Sequence, residues 1–178
     1  DVIRILQDDL GLLLRAEIIW QKAKGASGSI AVGSYMSASN PVLRDISERV
    51  IVACKGRFDR AIPRKVREKE GLPFENTTTK EEFLAATLDV WEMRPESARR
   101  IGHPAPFPVE LPERLIHLYT YLNDVILDPF VGSGTTAVAA VRTGRHYVGY
   151  DTDANYVALA EARVAEERSG FDTDGNSP

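Results

Sequence analysis

Residues 123–153 read N-D-V-I-L-D-P-F-V-G-S-G-T-T-A-V-A-A-V-R-T-G-R-H-Y-V-G-Y-D-T-D. The short apolar run Val125 to Leu127 has the character of a buried parallel strand. Asp128-Pro129 ends it, because proline cannot donate to a sheet ladder. Gly132 and Gly134 permit a tight turn and close approach of backbone to a ligand. Thr135 to Thr143 is rich in alanine and valine and reads as a helix, with Gly144 as its stop. A second strand, His146 to Gly149, runs to Asp151. Strand, glycine turn, helix, strand and acid form the layout of a nucleotide-like cofactor site at the carboxyl edge of an α/β sheet. The same stretch also reads as a plain β-α-β crossover whose glycines only shape a turn.

The glycine spacing narrows the ligand. The chain has F-x-G-x-G, not the G-x-G-x-x-G of a dinucleotide site, and it has no G-K-[ST] phosphate loop. A tight turn without a phosphate grip suits a cofactor with ribose and adenine but no pyrophosphate. The carboxylate of Asp151 is placed to accept both ribose hydroxyls.

With 178 residues the chain can bury one core and carry a small subdomain. Its net charge of -4 requires any nucleic-acid surface to be local. The single cysteine, Cys54, excludes an intramolecular disulfide and reads as core packing. No apolar run approaches membrane-spanning length and no signal peptide opens the chain, so a cytoplasmic protein is expected. His103, His117 and His146 have no partner at ligand spacing, so no metal site is expected.

Working outward, Val2 to Leu10 has helical periodicity and ends near Gly11. Ala16 to Trp20 and Arg49 to Lys55 read as strands. Between them Gly25 to Asn40 is a Gly/Ser/Ala-rich loop with Ile30, Val32, Tyr35 and Met36 as candidate anchors. Phe58 to Gly71 carries Arg60, Arg64, Lys65, Arg67 and Lys69, the most basic local run of the chain. Facing a polyanion, such a run attracts and positions without reading sequence; facing water, it is a solvated surface. Thr79 and Glu82 form a capping box, and the helix that follows should bury Phe83, Leu84 and Leu88. Val90 to Met93 is a short strand. His103 to Pro112 is stiff and proline-rich, and Pro112 opens a helix to Tyr121. The last helix runs from Ala154 to about Glu167 with Tyr156, Leu159, Ala160 and Val164 on one stripe; Ser169 to Pro178 is a polar tail.

Taken together, H-P-A-P-F-P-x-E-L-P-E-R-L-I, then L-D-P-F-V-G-S-G-T-T, then G-R-H-Y-V-G-Y-D resembles the circularly permuted beta class of DNA amino-methyltransferases. The weaker upstream match is A-E-I-I-W, N-P and E-R-V-I-V-A-C-K-G. The resemblance covers nearly all of residues 1–168. It implies an α/β, Rossmann-like S-adenosylmethionine-dependent methyltransferase fold, permuted and incomplete at its N-terminus. It implies methylation of adenine N6 or cytosine N4 in double-stranded DNA, within restriction-modification.

By residue, the resemblance places Asp128, Phe130, Gly132, Ser133, Gly134 and Thr135 around S-adenosylmethionine, Asp151 on its ribose, and Phe107 and Pro108 on the opposite wall. Lys22, Lys24, Arg60, Arg64, Lys65 and Arg67 are the DNA-side candidates. The implied division is 1–57 on the catalytic side, 58–93 as target-recognition insertion, 94–168 for the cofactor and 169–178 as tail. Homodimers are common in the family. One departure stands out: the Asp/Asn/Ser-Pro-Pro-Tyr/Phe tetrapeptide that holds the target amine is not in this sequence, so no catalytic residue is assigned. The expectation is that a preceding segment or second chain supplies it, and that these residues alone are inactive and fold poorly. The competing readings are a non-catalytic DNA- or partner-binding remnant and a methyltransferase for RNA.

Overall fold

The computed structural model describes residues 1–22, 33–43, 45–96 and 107–174, with side chains to 170. Lys24, the anchors Ile30 and Val32, and His103 to Pro106 lie outside the described residues. The chain forms two compact units, Asp1–Ala61 with Leu88–Arg94, and Ile62–Thr87 with Pro95–Pro178. The stretch 58–93, read from sequence as one insertion, is shared between them.

The first unit opens with a helical segment, α1 (Val2–Arg4), which widens into a π-helical turn over Ile5–Asp9. Its sheet has the order β2-β1-β3. Strand β1 (Leu13–Gln21) pairs antiparallel with β2 (Ser47–Cys54), from Leu13 opposite Cys54 to Gln21 opposite Ser47. A bulge interrupts the register between Leu14 and Ala16. Strand β3 (Val90–Glu92) runs parallel to β1, with Trp20 opposite Trp91. Among the described residues of this unit, Ile18, Trp20, Trp91 and Met93 are buried. Both indoles are satisfied: Trp20 Nε1 donates to Met93 O and Trp91 Nε1 to Leu88 O, each at 2.9 Å. Cys54 is half-buried and within 3.8 Å of an Arg15 guanidinium nitrogen, a less enclosed position than the sequence suggests. Tyr35 and Met36, expected to anchor the loop, are exposed. Serine hydroxyls brace that loop instead: Ser34 Oγ accepts from Asn40 N at 2.8 Å and donates to Ser37 O at 2.8 Å.

The second unit has a parallel pair, β4 (Val125–Asp128) and β5 (His146–Gly149), joined through helix α5 (Thr135–Arg142). Helix α2 spans Arg64–Lys69, α3 Lys80–Ala86, α4 Glu110–Tyr119 and α6 Ala154–Asp174. The core is Val109, Ile116, Val131, Ala137 to Ala140, Ala160 and Val164. Small residues dominate α5 because it is buried on most sides.

Several local readings change. The capping box of α3 forms in both directions, with Thr79 N to Glu82 Oε2 at 2.8 Å and Glu82 N to Thr79 Oγ1 at 3.2 Å. Yet Phe83, Leu84 and Leu88 are exposed, and Ala86 is the residue that α3 buries. A helix of two turns covers little, and its cap depends on local hydrogen bonds rather than on which face packs. Pro112 sits third in α4, which begins at Glu110; the first turn lacks intrahelical acceptors for its amides, so proline fits there too. Arg64–Lys69, read as a basic run, is a helix after Pro63. Helix α6 continues through the expected tail to Asp174. Val125 and Leu127 are exposed rather than buried, since they occupy the face of β4 opposite half-buried Ile126. Among the described residues no helix is long and apolar enough to cross a membrane.

Candidate cofactor-binding site

The glycine loop is tied across the carboxyl ends of both parallel strands. Asp128 Oδ1 accepts from Phe130 N at 3.0 Å, folding the chain back as β4 ends. Tyr150 N donates to Asp128 O at 3.0 Å and Val131 N to Tyr150 O at 2.8 Å, extending the strand pairing into the turn. Gly132 has φ +48 and Gly134 φ +81, left-handed values that a side chain disfavours. Gly132 N donates to Asp151 Oδ2 at 2.9 Å, and Asp151 Oδ1 accepts from Asp153 N at 2.9 Å. The acid at the end of β5 is thus held at both oxygens by backbone. Gly134 then caps α5, accepting from Val138 N at 2.9 Å.

Helix α6 forms the back of the loop. A Cβ on Gly134 would lie 2.7 Å from Ala160 Cβ, so the second glycine serves packing as well as φ. Arg163, one turn later, donates through Nη1 to Ser133 O at 2.6 Å, with Ser133 Oγ at 3.2 Å and Thr135 Oγ1 at 3.3 Å. Burial pulls the Arg163 pKa down, with Glu96 opposing. Ser133 and Thr135 are 4% and 5% exposed. Their hydroxyls are therefore engaged behind the loop, toward α6. In contrast, Phe130 is 85% exposed and Asp151 partly so. Asp128, Phe130, Gly132 and Asp151 are brought to one edge. Phe107 is half-buried and Pro108 buried; Pro108 O accepts from Leu111 N at 3.0 Å, and the next residue, Val109, packs in the same core as Val131 of the loop.

Arg163 had a sequence signal that the motif reading missed. It stands on the α6 stripe between Ala160 and Val164, where a charged residue is out of place unless it has buried acceptors. Arg145, in the turn before β5, is a further interior arginine without that signal: it is 4% exposed and donates to Thr120 O at 3.0 Å and Thr77 Oγ1 at 2.7 Å.

The DNA-side candidates separate. Lys22 and Arg60 belong to the first unit and Arg64, Lys65 and Arg67 to the second. Lys22 pairs with Glu48 at 3.0 Å, across the β1–β2 ladder. Arg64 lies over the Phe74 ring at 5.8 Å and stays exposed, as does Lys65. Arg67 does not fit a DNA-facing role. It is buried, paired to Asp124 at 3.0 Å, bonded to Pro73 O and stacked 5.2 Å from the Tyr121 ring. Among the described residues no group of His, Cys, Asp or Glu is placed to hold a metal ion.

The family model described as DNA methylase, of the N6/N4 methyltransferase kind, matches residues 1–162. The chain belongs to the DNA methylase family. This DNA methylase chain is 29% identical over 173 residues to the type II methyltransferase M.MjaI of Methanocaldococcus jannaschii, covering 93% of the chain and 54% of that protein. It is 32% identical over 166 residues to the type II methyltransferase M.MthZI of Methanothermobacter thermautotrophicus, covering 89% and 45%. It is similar in structure to the Thermus thermophilus protein TTHA0409 complexed with S-adenosyl-L-methionine: TM-score 0.67, 29% identity, 95% of this chain and 60% of that one. The chain spans about half the length of the curated relatives it matches. The fold is α/β and Rossmann-like, of the S-adenosylmethionine-dependent methyltransferase type.

Proposed function

We propose that this DNA methylase chain binds S-adenosyl-L-methionine at the 128–135 loop and Asp151, as part of an enzyme methylating exocyclic amines in DNA, adenine N6 or cytosine N4. The observation that carries the reading is the hydrogen bond from Gly132 N to Asp151 Oδ2, which sets a carboxylate beside a glycine turn at the carboxyl edge of β4 and β5. The residues fit the cofactor. A carboxylate has about four acceptor positions, so vicinal ribose hydroxyls can add to the two amide bonds Asp151 already accepts. Phe130 offers an exposed apolar ring beside the turn. The complex of TTHA0409 with S-adenosyl-L-methionine supports the same ligand here.

In this reading Asp151 fixes the ribose, while the turn 130–134 confines the methionine end through its backbone. S-adenosylmethionine supplies a sulfonium methyl whose carbon–sulfur bond breaks, sulfur keeping the electron pair, as an amino nitrogen takes the carbon and then loses a proton. Orientation does most of the work in such a transfer. The amine itself lies on a base taken out of the stack. The tetrapeptide that would hold it is not among these residues, and a permuted order, with that motif supplied from outside residues 1–178, is part of the proposal. Of the DNA-side candidates, Arg60, Arg64 and Lys65 are exposed, which supports a role for them in meeting phosphates.

The test is transfer of labelled methyl from S-adenosylmethionine to mixed-sequence duplex DNA or to RNA, followed by digestion to nucleosides. Label in N6-methyladenine or N4-methylcytosine from DNA is the expected result. Label confined to RNA, or cofactor bound with no transfer to either, would replace this reading with one of its competitors.

A further inference from the structure

The peptide between Ser133 and Gly134 is one whose orientation local chemistry leaves open. Gly134 at φ +81 has no Cβ to restrict it, and a peptide plane beside a glycine can rotate. Gly134 N is held by Val131 O at 2.8 Å from within the turn. The Ser133 carbonyl is held from outside it, by Arg163 Nη1 at 2.6 Å. The same nitrogen lies 3.2 Å from Ser133 Oγ and 3.3 Å from Thr135 Oγ1, so one guanidinium edge gathers three oxygens on both sides of Gly134. Ala160, one turn earlier on α6, occupies the space a Cβ on Gly134 would need. Ala160 therefore sets how close α6 comes, and Arg163 sets which way the carbonyl points.

We infer that Arg163 is a positioning residue for the glycine loop. It clamps the Ser133 carbonyl against α6 and so keeps the turn in the conformation where Gly132 N reaches Asp151. The inference rests on the proposed cofactor reading for its functional consequence, but not for its geometry. A guanidinium suits the task because its rigid planar fork fixes the direction of Nη1, the nitrogen that makes all three contacts, and it stays charged even when burial lowers its pKa. Glu96 opposes that lowering through its charge. Arg163 also lines an open groove with Val138, Arg142, Glu166 and Glu167, so a methionine in its place removes the donors without overpacking a closed core.

The experiment uses the full chain with Arg163→Met, Arg163→Lys and, as control, Arg142→Met from the same groove. Two quantities are read: amide hydrogen exchange at Gly132, Gly134 and Ile126 without ligand, and affinity for S-adenosyl-L-homocysteine. Arg163→Met should speed exchange at Gly132 and Gly134 but not at Ile126 in β4, and should weaken the ligand about tenfold, the scale of one lost charged hydrogen bond. Arg163→Lys, which keeps a cation but not the fork, should fall between. Arg142→Met should change neither. Unchanged exchange in Arg163→Met, or an equal rise at all three amides, overturns the inference, because the first means no clamp and the second a general loss of packing. If the wild-type chain fails to bind the homocysteine compound, the cofactor reading fails, and the exchange pattern alone decides whether Arg163 positions the loop.

Discussion

Gly132 and Asp151 are 19 residues apart in sequence and joined by a 2.9 Å hydrogen bond from amide nitrogen to carboxylate oxygen. The bond fastens the turn after β4 to the end of β5. It makes the proposed ribose acceptor and the proposed methionine turn one piece of structure, so a change at either residue should be felt at both.

Asp151→Asn keeps the shape but loses the charge, and its amide nitrogen cannot accept. Hydrogen bonds to a charged group contribute about 1.5–3 kcal/mol each. S-adenosyl-L-homocysteine should therefore bind about tenfold to a hundredfold more weakly, as read by calorimetry. Affinity equal to wild type would remove Asp151 from the site.

Gly134→Ala meets two penalties. The left-handed φ costs a non-glycine residue roughly 1–2 kcal/mol, and crowding against Ala160 at 2.7 Å adds roughly 1–3 kcal/mol. Gly11 and Gly56 share a positive φ but would place a Cβ in open space. Their alanine variants should lose only the first amount in urea denaturation. Adding Ala160→Gly to Gly134→Ala should relieve only part of the steric share, because Ala160 Cα, 2.8 Å from the added Cβ, stays in place. Equal losses for Gly134→Ala and Gly56→Ala would show that the contact with α6 is slack.

Helix α2 divides its cations by burial. Arg67→Ala leaves the carboxylate of Asp124, whose side chain is 14% exposed, without its guanidinium, a change that typically costs about 3–5 kcal/mol. Lys65→Ala should cost less than about 0.5 kcal/mol. In DNA binding the order reverses for salt dependence: a Lys65 phosphate contact, once removed, should reduce the log–log salt slope by about one. A Lys65 variant with an unaltered slope would place α2 away from the duplex.

His117 carries a pH dependence with a definite sign. Burial, and next the charge of Arg145, pull its pKa below 6.5, with Glu82 opposing. Arg145 donates to Thr77 Oγ1 at 2.7 Å, and that oxygen lies 2.8 Å from His117 Nδ1, to which its hydroxyl can donate when the ring is neutral. The unfolded chain binds this proton more readily, so stability is full above about pH 6.5 and falls as pH drops toward the folded pKa. Thr77→Val removes a bond that favours the neutral ring and should raise the His117 pKa seen by NMR titration. An unchanged or lower value would rule out that bond.

Much of the second unit was legible because its signals are local. Proline after Asp128, glycines at left-handed positions, an alanine-rich helix and Gly144 after it act within a few residues of where they stand. Thr79 and Glu82 are likewise three residues apart, and their reciprocal cap forms as read. What covers a helix face is not local, which is why α3 has the expected cap and an exposed Phe83. The same holds for Val125 and Leu127, whose apolar character says nothing about which face of β4 is covered.

The sequence by itself determined the order strand, turn, helix, strand and acid, and with it the place of the candidate site. Backbone preferences of glycine and proline, and the periodicity of apolar residues, operate over one element and need no partner. Only the tertiary structure decided which charged residues serve the interior. Arg67 finds Asp124 across 57 residues, and Arg163 finds Ser133 across 30. A guanidinium is read as surface until a buried acceptor meets it, and that meeting depends on how α2 and α6 pack, a matter of distance in space that spacing along the chain does not encode.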